Sequence, residues 1–284
     1  MKQVFLAIVL CLTLGAGSAQ AQLFWTGSVN DGFGNWAENV QTFDWASSGS
    51  GVAIGLGAGP LVEGTEFTFL YQARLAGLAD PAGQAVDFPN LNSTFEYTFV
   101  AVVPERVVEV SADGRTAILE TLAGGSWYMF WDAPPNSVTE TGFGFQDGTL
   151  VAEGTWLAGY ETIFRASADF TSGIGGFVIE GLRGAGTIVN PDFLDPTLYG
   201  PNDDQLIFDI RLEGQTNIPA LDSTTTTFFA GDGPLAAYTV TANDLLFKVD
   251  ASSKFSVIPE PSTVILLGLG LLGLAGYSRK KLRK

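Results

Sequence analysis

The sequence predicts an all-β fold: an antiparallel β-sandwich or barrel-like domain, framed by an N-terminal signal peptide and a single C-terminal transmembrane helix. Three observations carry that prediction. Apolar and polar residues alternate with period two, most clearly at residues 65–73, 94–103 and 205–212, the pattern of strands with one buried face. Gly, Pro, Asn and Asp punctuate those windows, and the pairs Asp113-Gly114 and Asp147-Gly148 favour hairpin turns. Between the two ends no window shows a long amphipathic helix, and no fixed-period repeat suggests a solenoid or propeller.

Taken in order, residues 41–46 and 52–56 read as two short strands separated by a Ser-Gly turn. Residues 65–73 place Phe67, Phe69 and Tyr71 on one face, and 76–92 read as loop. Residues 94–103 place Phe95, Tyr97 and Phe99 together; Pro104 should end that strand, with another at 106–111. Residues 116–122 return from the Asp113-Gly114 turn, and 126–132 follow Gly124-Gly125. Asp147-Gly148 predicts a hairpin between Phe143-Gly144-Phe145 and Leu150-Val151. Strands are expected at 155–166, 176–182, 187–190, 205–212, 224–230, 245–250 and 254–258, with the longest irregular stretch at 190–204.

The termini read as addresses. Lys2, an apolar region at residues 4–14 and Ala19-Gln20-Ala21 form a secretory signal, residues 1–21, with cleavage after Ala21. Cys11, the one cysteine, lies inside it, so the exported domain at residues 22–256 has no disulfide. That length suffices for one large β-domain or two small ones. The segment 257–284 begins with Pro259-Glu260-Pro261, continues as an apolar run with four glycines at 264–276, and ends in Arg279, Lys280, Lys281, Arg283 and Lys284. A helix over 262–277 would rise about 24 Å, short of a hydrocarbon core of about 30 Å, a gap that thinning or snorkelling basic residues can close. The basic end keeps the C-terminus cytoplasmic.

This tail resembles the PEP-CTERM sorting signal of bacterial surface proteins, on the strength of Pro259-Glu260-Pro261, the apolar segment and the basic end from Arg279 through Lys280 and Lys281. The resemblance implies a Gram-negative bacterium that makes extracellular polysaccharide, export by the secretion machinery, and an exosortase that removes the tail. The membrane is then a partner only before processing, and the destination is the cell surface or extracellular matrix. Within the domain, FDWASSGSGVAIGLG, EFTFLYQARL, FGFQDGTLVAEGTW and STTTTFF resemble the flocculation-associated subgroup of these proteins, which implies a role in cell aggregation.

Charge and composition exclude whole classes of chemistry. The chain has no histidine, which removes Ser-His-Asp hydrolysis and His-ligated zinc. No phosphate-cradling Gly-rich loop precedes a helix. Catalytic residues: none are expected. Once the signal and tail are set aside, eight basic residues face 29 acidic ones, a balance of −21 that repels nucleic acid. No cofactor is expected, although Asp192, Asp195, Asp203 and Asp204, with Asn190 and Asn202, supply oxygen ligands that could take calcium. A solvated acidic loop explains the same residues. The function expected is non-enzymatic, in an extracellular polysaccharide matrix. The alternative is a carbohydrate-binding or acid-pair glycoside-hydrolysing surface protein, which tryptophans lining a groove would favour and buried ones would not.

Overall fold

The computed structural model describes residues 23–24, 26–56, 60–156, 158–159, 161–166, 173–176, 179–182, 190–195, 207–211 and 224–257. Phe24–Ser256 is one compact unit, and the described residues are all β. The strands are β1 (Leu23–Phe24), β2 (Gly27–Asn30), β3 (Trp36–Val40), β4 (Thr42–Ile54), β5 (Glu66–Ala79), β6 (Ala85–Val86), β7 (Glu96–Val110), β8 (Thr116–Thr121) and β9 (Ser126–Asp132). They continue as β10 (Thr149–Trp156), β11 (Glu161–Ala166), β12 (Gly173–Gly176), β13 (Ile179–Leu182), β14 (Leu194–Asp195), β15 (Ile207–Arg211), β16 (Thr227–Phe228), β17 (Tyr238–Thr239) and β18 (Leu245–Val257).

The main sheet closes on itself. Hydrogen-bonded neighbours run β7, β9, β10, β13, β15, β18, β4, β5 and back to β7, an antiparallel circuit of eight strands. Eight strands leave an interior just wide enough for side chains to fill. The inward residues are large: Trp45, Phe69, Tyr71, Phe99 and Trp127 all belong to one buried cluster. Phe99 is the hub, its ring 5.1 Å from Trp45, 6.1 Å from Tyr71 and 5.9 Å from Trp127. So much aromatic volume requires small residues opposite it. A Cβ on Gly51 would stand 2.6 Å from both the Phe69 ring and a Val249 methyl, so β4 passes there only as glycine.

The outward face of this sheet carries a second cluster, in which Val52, Leu70, Val100, Phe130 and Leu246 meet Phe145, Phe228 and Phe229 from covering loops. Polar residues alternating with those apolar ones tie the loops down. Glu96 accepts from the Asn136 and Ser137 amides at 2.6 and 2.8 Å, and Thr98 donates to the Phe145 carbonyl. Gln72 accepts from Phe229 N–H and donates to the Thr139 carbonyl. Gln146 joins the two loops: its amide donates to the carbonyls of Phe229 and Leu235, and its oxygen accepts from Leu235 N–H.

Several expected boundaries are moved by tertiary pairing. The two strands expected at 41–46 and 52–56 are one strand, β4 (Thr42–Ile54), with irregular register between Trp45 and Ser50 in place of a turn. Pro104 does not end its strand. It sits where β7 changes partner, after Val102↔Ser126 of β9 and before Glu105↔Thr121 of β8, so a missing donor interrupts neither ladder. Asp147-Gly148 makes no hairpin, because Phe145 docks on the outer face and β10 pairs with β9 instead. Residues 155–166 divide between β10 and β11, the expected strands at 245–250 and 254–258 run together as the single strand β18 (Leu245–Val257), and the expected strand at 224–230 shrinks to β16. The expected strand at 187–190 lies outside the described residues except for Asn190.

Truncating the hub should be costly. Phe99→Ala is expected to lose about 3–5 kcal/mol in urea unfolding. Gln146→Ala, which strands a buried amide and two carbonyls, is expected to lose about 2–4 kcal/mol. A change below about 1 kcal/mol for Gln146→Ala would show that the covering loops do not depend on it.

Candidate functional site

Two parts of the described fold gather titratable groups. The first is a three-stranded sheet, β14–β2–β3, at the edge of the core. Its β2–β3 hairpin turns through Asn30-Asp31-Gly32-Phe33-Gly34-Asn35, and side chains hold that turn. Asn30 Oδ1 accepts from Gly32 and Gly34 N–H, Asp31 Oδ1 accepts from Phe33 and Asn35 N–H, and Asn35 Nδ2 donates to Asp31 Oδ2. Burial alone would raise the Asp31 carboxyl, but the donors from Asn35 and Phe33 outweigh it and hold the group below the usual carboxylate range. The Tyr97 hydroxyl donates to the Asn30 carbonyl and Trp131 Nε1 to the Asp31 carbonyl, which pins the turn to the core. Gly32 has φ +80°, and a Cβ there would lie 2.1 Å from the Trp131 ring.

The predicted acidic loop meets this sheet. Asn190 Oδ1 accepts from Asp192 N–H, and Phe193 and Leu194 enter the core, so Asp192 and Asp195 are left facing solvent. Asp195 lies opposite Ser28 on β2. Asp203 and Asp204 lie outside the described residues, and among the described residues no three carboxylates group as a metal site. What sequence reasoning missed is the partner of Asp195: Ser28 Oγ donates to Glu38 Oε2, which aligns Asp195, Ser28 and Glu38 across three strands. The Asp31-Gly32 pair ahead of Trp36 was the available hairpin signal.

The second place is the region where β7 leaves β9 for β8. Glu105 follows the inward parity of Phe99, Ala101 and Val103 and so enters the core, where it is 1% exposed. Its Oε1 has no hydrogen-bond partner among the described residues, nor have Thr121 Oγ1 and Thr162 Oγ1 on the neighbouring strands. Beside it lies an apolar cavity of about 20 Å³ walled by Ala53, Phe67, Phe69, Leu119, Phe164 and Phe247. That space holds about one water molecule, far less than a small-molecule site needs. Burial pushes the Glu105 carboxyl up to about 8, so at neutral pH it is a neutral acid in an apolar wall.

The remaining predicted residues, Ala19 and Ala21 at the signal cleavage site and Pro259, Glu260, Pro261, Arg279, Lys280 and Lys281 in the tail, lie outside the described residues. So does the apolar run at 264–276; among the described residues no helix is long and apolar enough to cross a membrane. The tail is identified by comparison. Residues 257–280 match the family model of the PEP-CTERM protein-sorting motif, from just before Pro259-Glu260-Pro261 to Lys280. The motif marks an exosortase-targeted surface protein. No curated protein and no solved structure matches the chain.

Glu105 gives the domain carried by this signal a defined pH response. Below about 4.5, the ordinary glutamate value, folded and unfolded chains are both protonated there and folding carries no penalty. From about 4.5 to about 8 only the unfolded chain releases the proton, so stability falls as pH rises through that window. The loss approaches about 1.4 kcal/mol per pH unit and levels off above the folded value. Urea unfolding at pH 5, 6.5 and 8 should show this decline in the wild type and a flatter profile in Glu105→Leu. Identical slopes would mean that Glu105 is charged or solvated in the folded state.

Proposed function

We propose that this chain is a non-enzymatic component of an extracellular polysaccharide matrix, sorted to the surface by an exosortase and promoting flocculation or biofilm formation. The observation that carries the reading is the sorting motif at residues 257–280. In this scheme the secretion machinery exports the chain, cleavage follows Ala21, the apolar helix holds the protein in the inner membrane, and exosortase cleavage near Pro259-Glu260-Pro261 releases it. The lack of histidine, and of cysteine outside the signal, supports a role without covalent or acid–base chemistry at neutral pH.

The alternative, a carbohydrate-binding or acid-pair glycoside-hydrolysing surface protein with clustered tryptophans lining a groove, has less support. Trp45, Trp127 and Trp156 are buried in the core, and Trp131 packs against it. They fill volume. The acidic surface suits a matrix role in another way. An anionic protein and an anionic polysaccharide repel at low salt, and a divalent cation with flexible oxygen coordination can bridge them through exposed carboxylates such as Asp192 and Asp195.

Intact-mass measurement of protein recovered from culture should give a chain that begins near Gln22 and ends between Pro259 and Pro261. Released protein still carrying residues 279–284 would overturn the sorting scheme. A deletion strain should settle more slowly than wild type. Complementation with Asp192, Asp195, Asp203 and Asp204 all changed to Asn should restore settling without its response to calcium, at matched ionic strength. Unchanged settling on deletion removes the aggregation role; a normal calcium response in the variant reduces the loop to solvated surface.

A further inference from the structure

We propose that the outer face of the β14–β2–β3 sheet binds a polysaccharide carrying protonated amino sugars, with Trp36 stacking on a sugar ring and Glu38 and Asp195 receiving its ammonium and hydroxyl groups. The inference deepens the matrix reading and rests on it.

Trp36 is an indole that lies outside both buried clusters. Along β3, Ala37 and Val40 turn into the core while Trp36 and Glu38 turn outward. Trp36 is 36% exposed, belongs to neither buried cluster and makes no ring contact among the described residues. Each of the other tryptophans whose side chain is described either fills the core or packs against it. The exposed part of the ring offers a flat apolar face on this strand, and the C–H face of a sugar matches it.

The groups around Trp36 select the kind of sugar. Glu38 lies two residues along the same strand face, about 7 Å away. Ser28 and Asp195 continue the row across β2 and β14 at strand spacings of about 4.8 Å. An aromatic platform beside two solvent-facing carboxylates thus spans about one sugar unit and its neighbour. The strands of this sheet read GSVN, WAENV and LD and carry no basic residue. The chain as a whole has a net charge of −16. Uronic acid or sulfated polymers reach this face only through a bridging divalent cation, whereas an ammonium group gains directly from both carboxylates and from the indole face.

The platform is also rigid before any ligand arrives. The Asn30, Asp31 and Asn35 side chains close the hairpin turn, and Tyr97 and Trp131 bond its carbonyls from the core. The hairpin backbone therefore needs little further ordering on binding.

The test is titration calorimetry of the protein recovered from culture with a glucosamine hexamer, an N-acetylglucosamine hexamer and a cello-hexaose, at pH 6 and fixed ionic strength. The glucosamine hexamer should bind at least tenfold more tightly than the two neutral oligomers. Trp36→Ala should weaken it at least tenfold with charge unchanged, Trp36→Phe should keep most of the affinity, and Glu38→Gln with Asp195→Asn should weaken it at least tenfold. Glu109→Gln with Asp113→Asn, the same charge change at an exposed site elsewhere, should stay within twofold. The proposal is overturned if Trp36→Ala binds like wild type while showing the same unfolding transition. Equal losses from both carboxylate pairs overturn it too, because they would show unspecific charge attraction. So does equal binding of the neutral oligomers. Should Trp36→Ala fail to fold, the phenylalanine and paired-carboxamide variants decide. Failure here leaves the processing and settling results standing; intact hexamer binding by a protein that is neither processed nor active in settling would strike the matrix reading alone.

Discussion

Nine register pairs between β5 and β7, from Glu66↔Arg106 to Arg74↔Thr98, close the sheet and set the side-chain parity on which the other features depend. Strand side chains alternate, so one closed ladder decides the face of every residue on both strands. Phe67, Phe69 and Tyr71 face the same interior as Phe99, Ala101 and Val103. Leu70, Gln72, Thr98 and Val100 face the covering loops. A slip of one residue would drive Gln72 and Glu96 into the aromatic interior and strip the loops of their anchors. Closure also removes the two strand edges most open to pairing with another chain.

The same carboxyl chemistry meets three fates in this frame. Glu96, outward on β7, is buried but accepts from two amides and the Ser137 hydroxyl, so its acceptor capacity is used by a loop that would otherwise lack an anchor. Glu105, inward on the same strand, finds no such donors for Oε1, and burial keeps its proton on. Glu38 and Asp195 face water, where charge costs little, and stay available to a partner. Residue type sets the chemistry each could do; parity and the neighbouring loop decide which chemistry is done.

The two halves of the molecule's task are separated along the chain. The sorting motif at 257–280 is an address, and its three parts work as a linear signal that a membrane protease can read without a folded surface. The described domain contributes a rigid acidic body whose tryptophans are mostly spent on packing. Its distinctive exposed chemistry sits on the small β14–β2–β3 sheet, where the hairpin is held from the core and Trp36, Glu38 and Asp195 are exposed.

Some of this was determined by the sequence alone, because the relevant signals are local. Period-two alternation named the strands around Phe67, Phe99 and Trp127, and Pro-Glu-Pro followed by an apolar run and basic residues named the sorting tail. Other features were illegible because they depend on pairing across long separations. Pro104 is a strand breaker by local rules, yet it falls at the point where β7 exchanges β9 for β8. Ser47-Ser48-Gly49-Ser50-Gly51 looks like a turn, yet the glycines let β4 run on past Phe69 and Val249. Glu105 and Glu96 are two glutamates on one strand, and nothing local tells a proton-holding interior from a satisfied outer face. Trp36 resembles five other tryptophans in the sequence; only the burial of Ala37 and Val40 beside it, decided by how the hairpin docks, leaves its side chain partly exposed. Local periodicity specifies which residues share a face, but which face is inside is a property of the closed sheet.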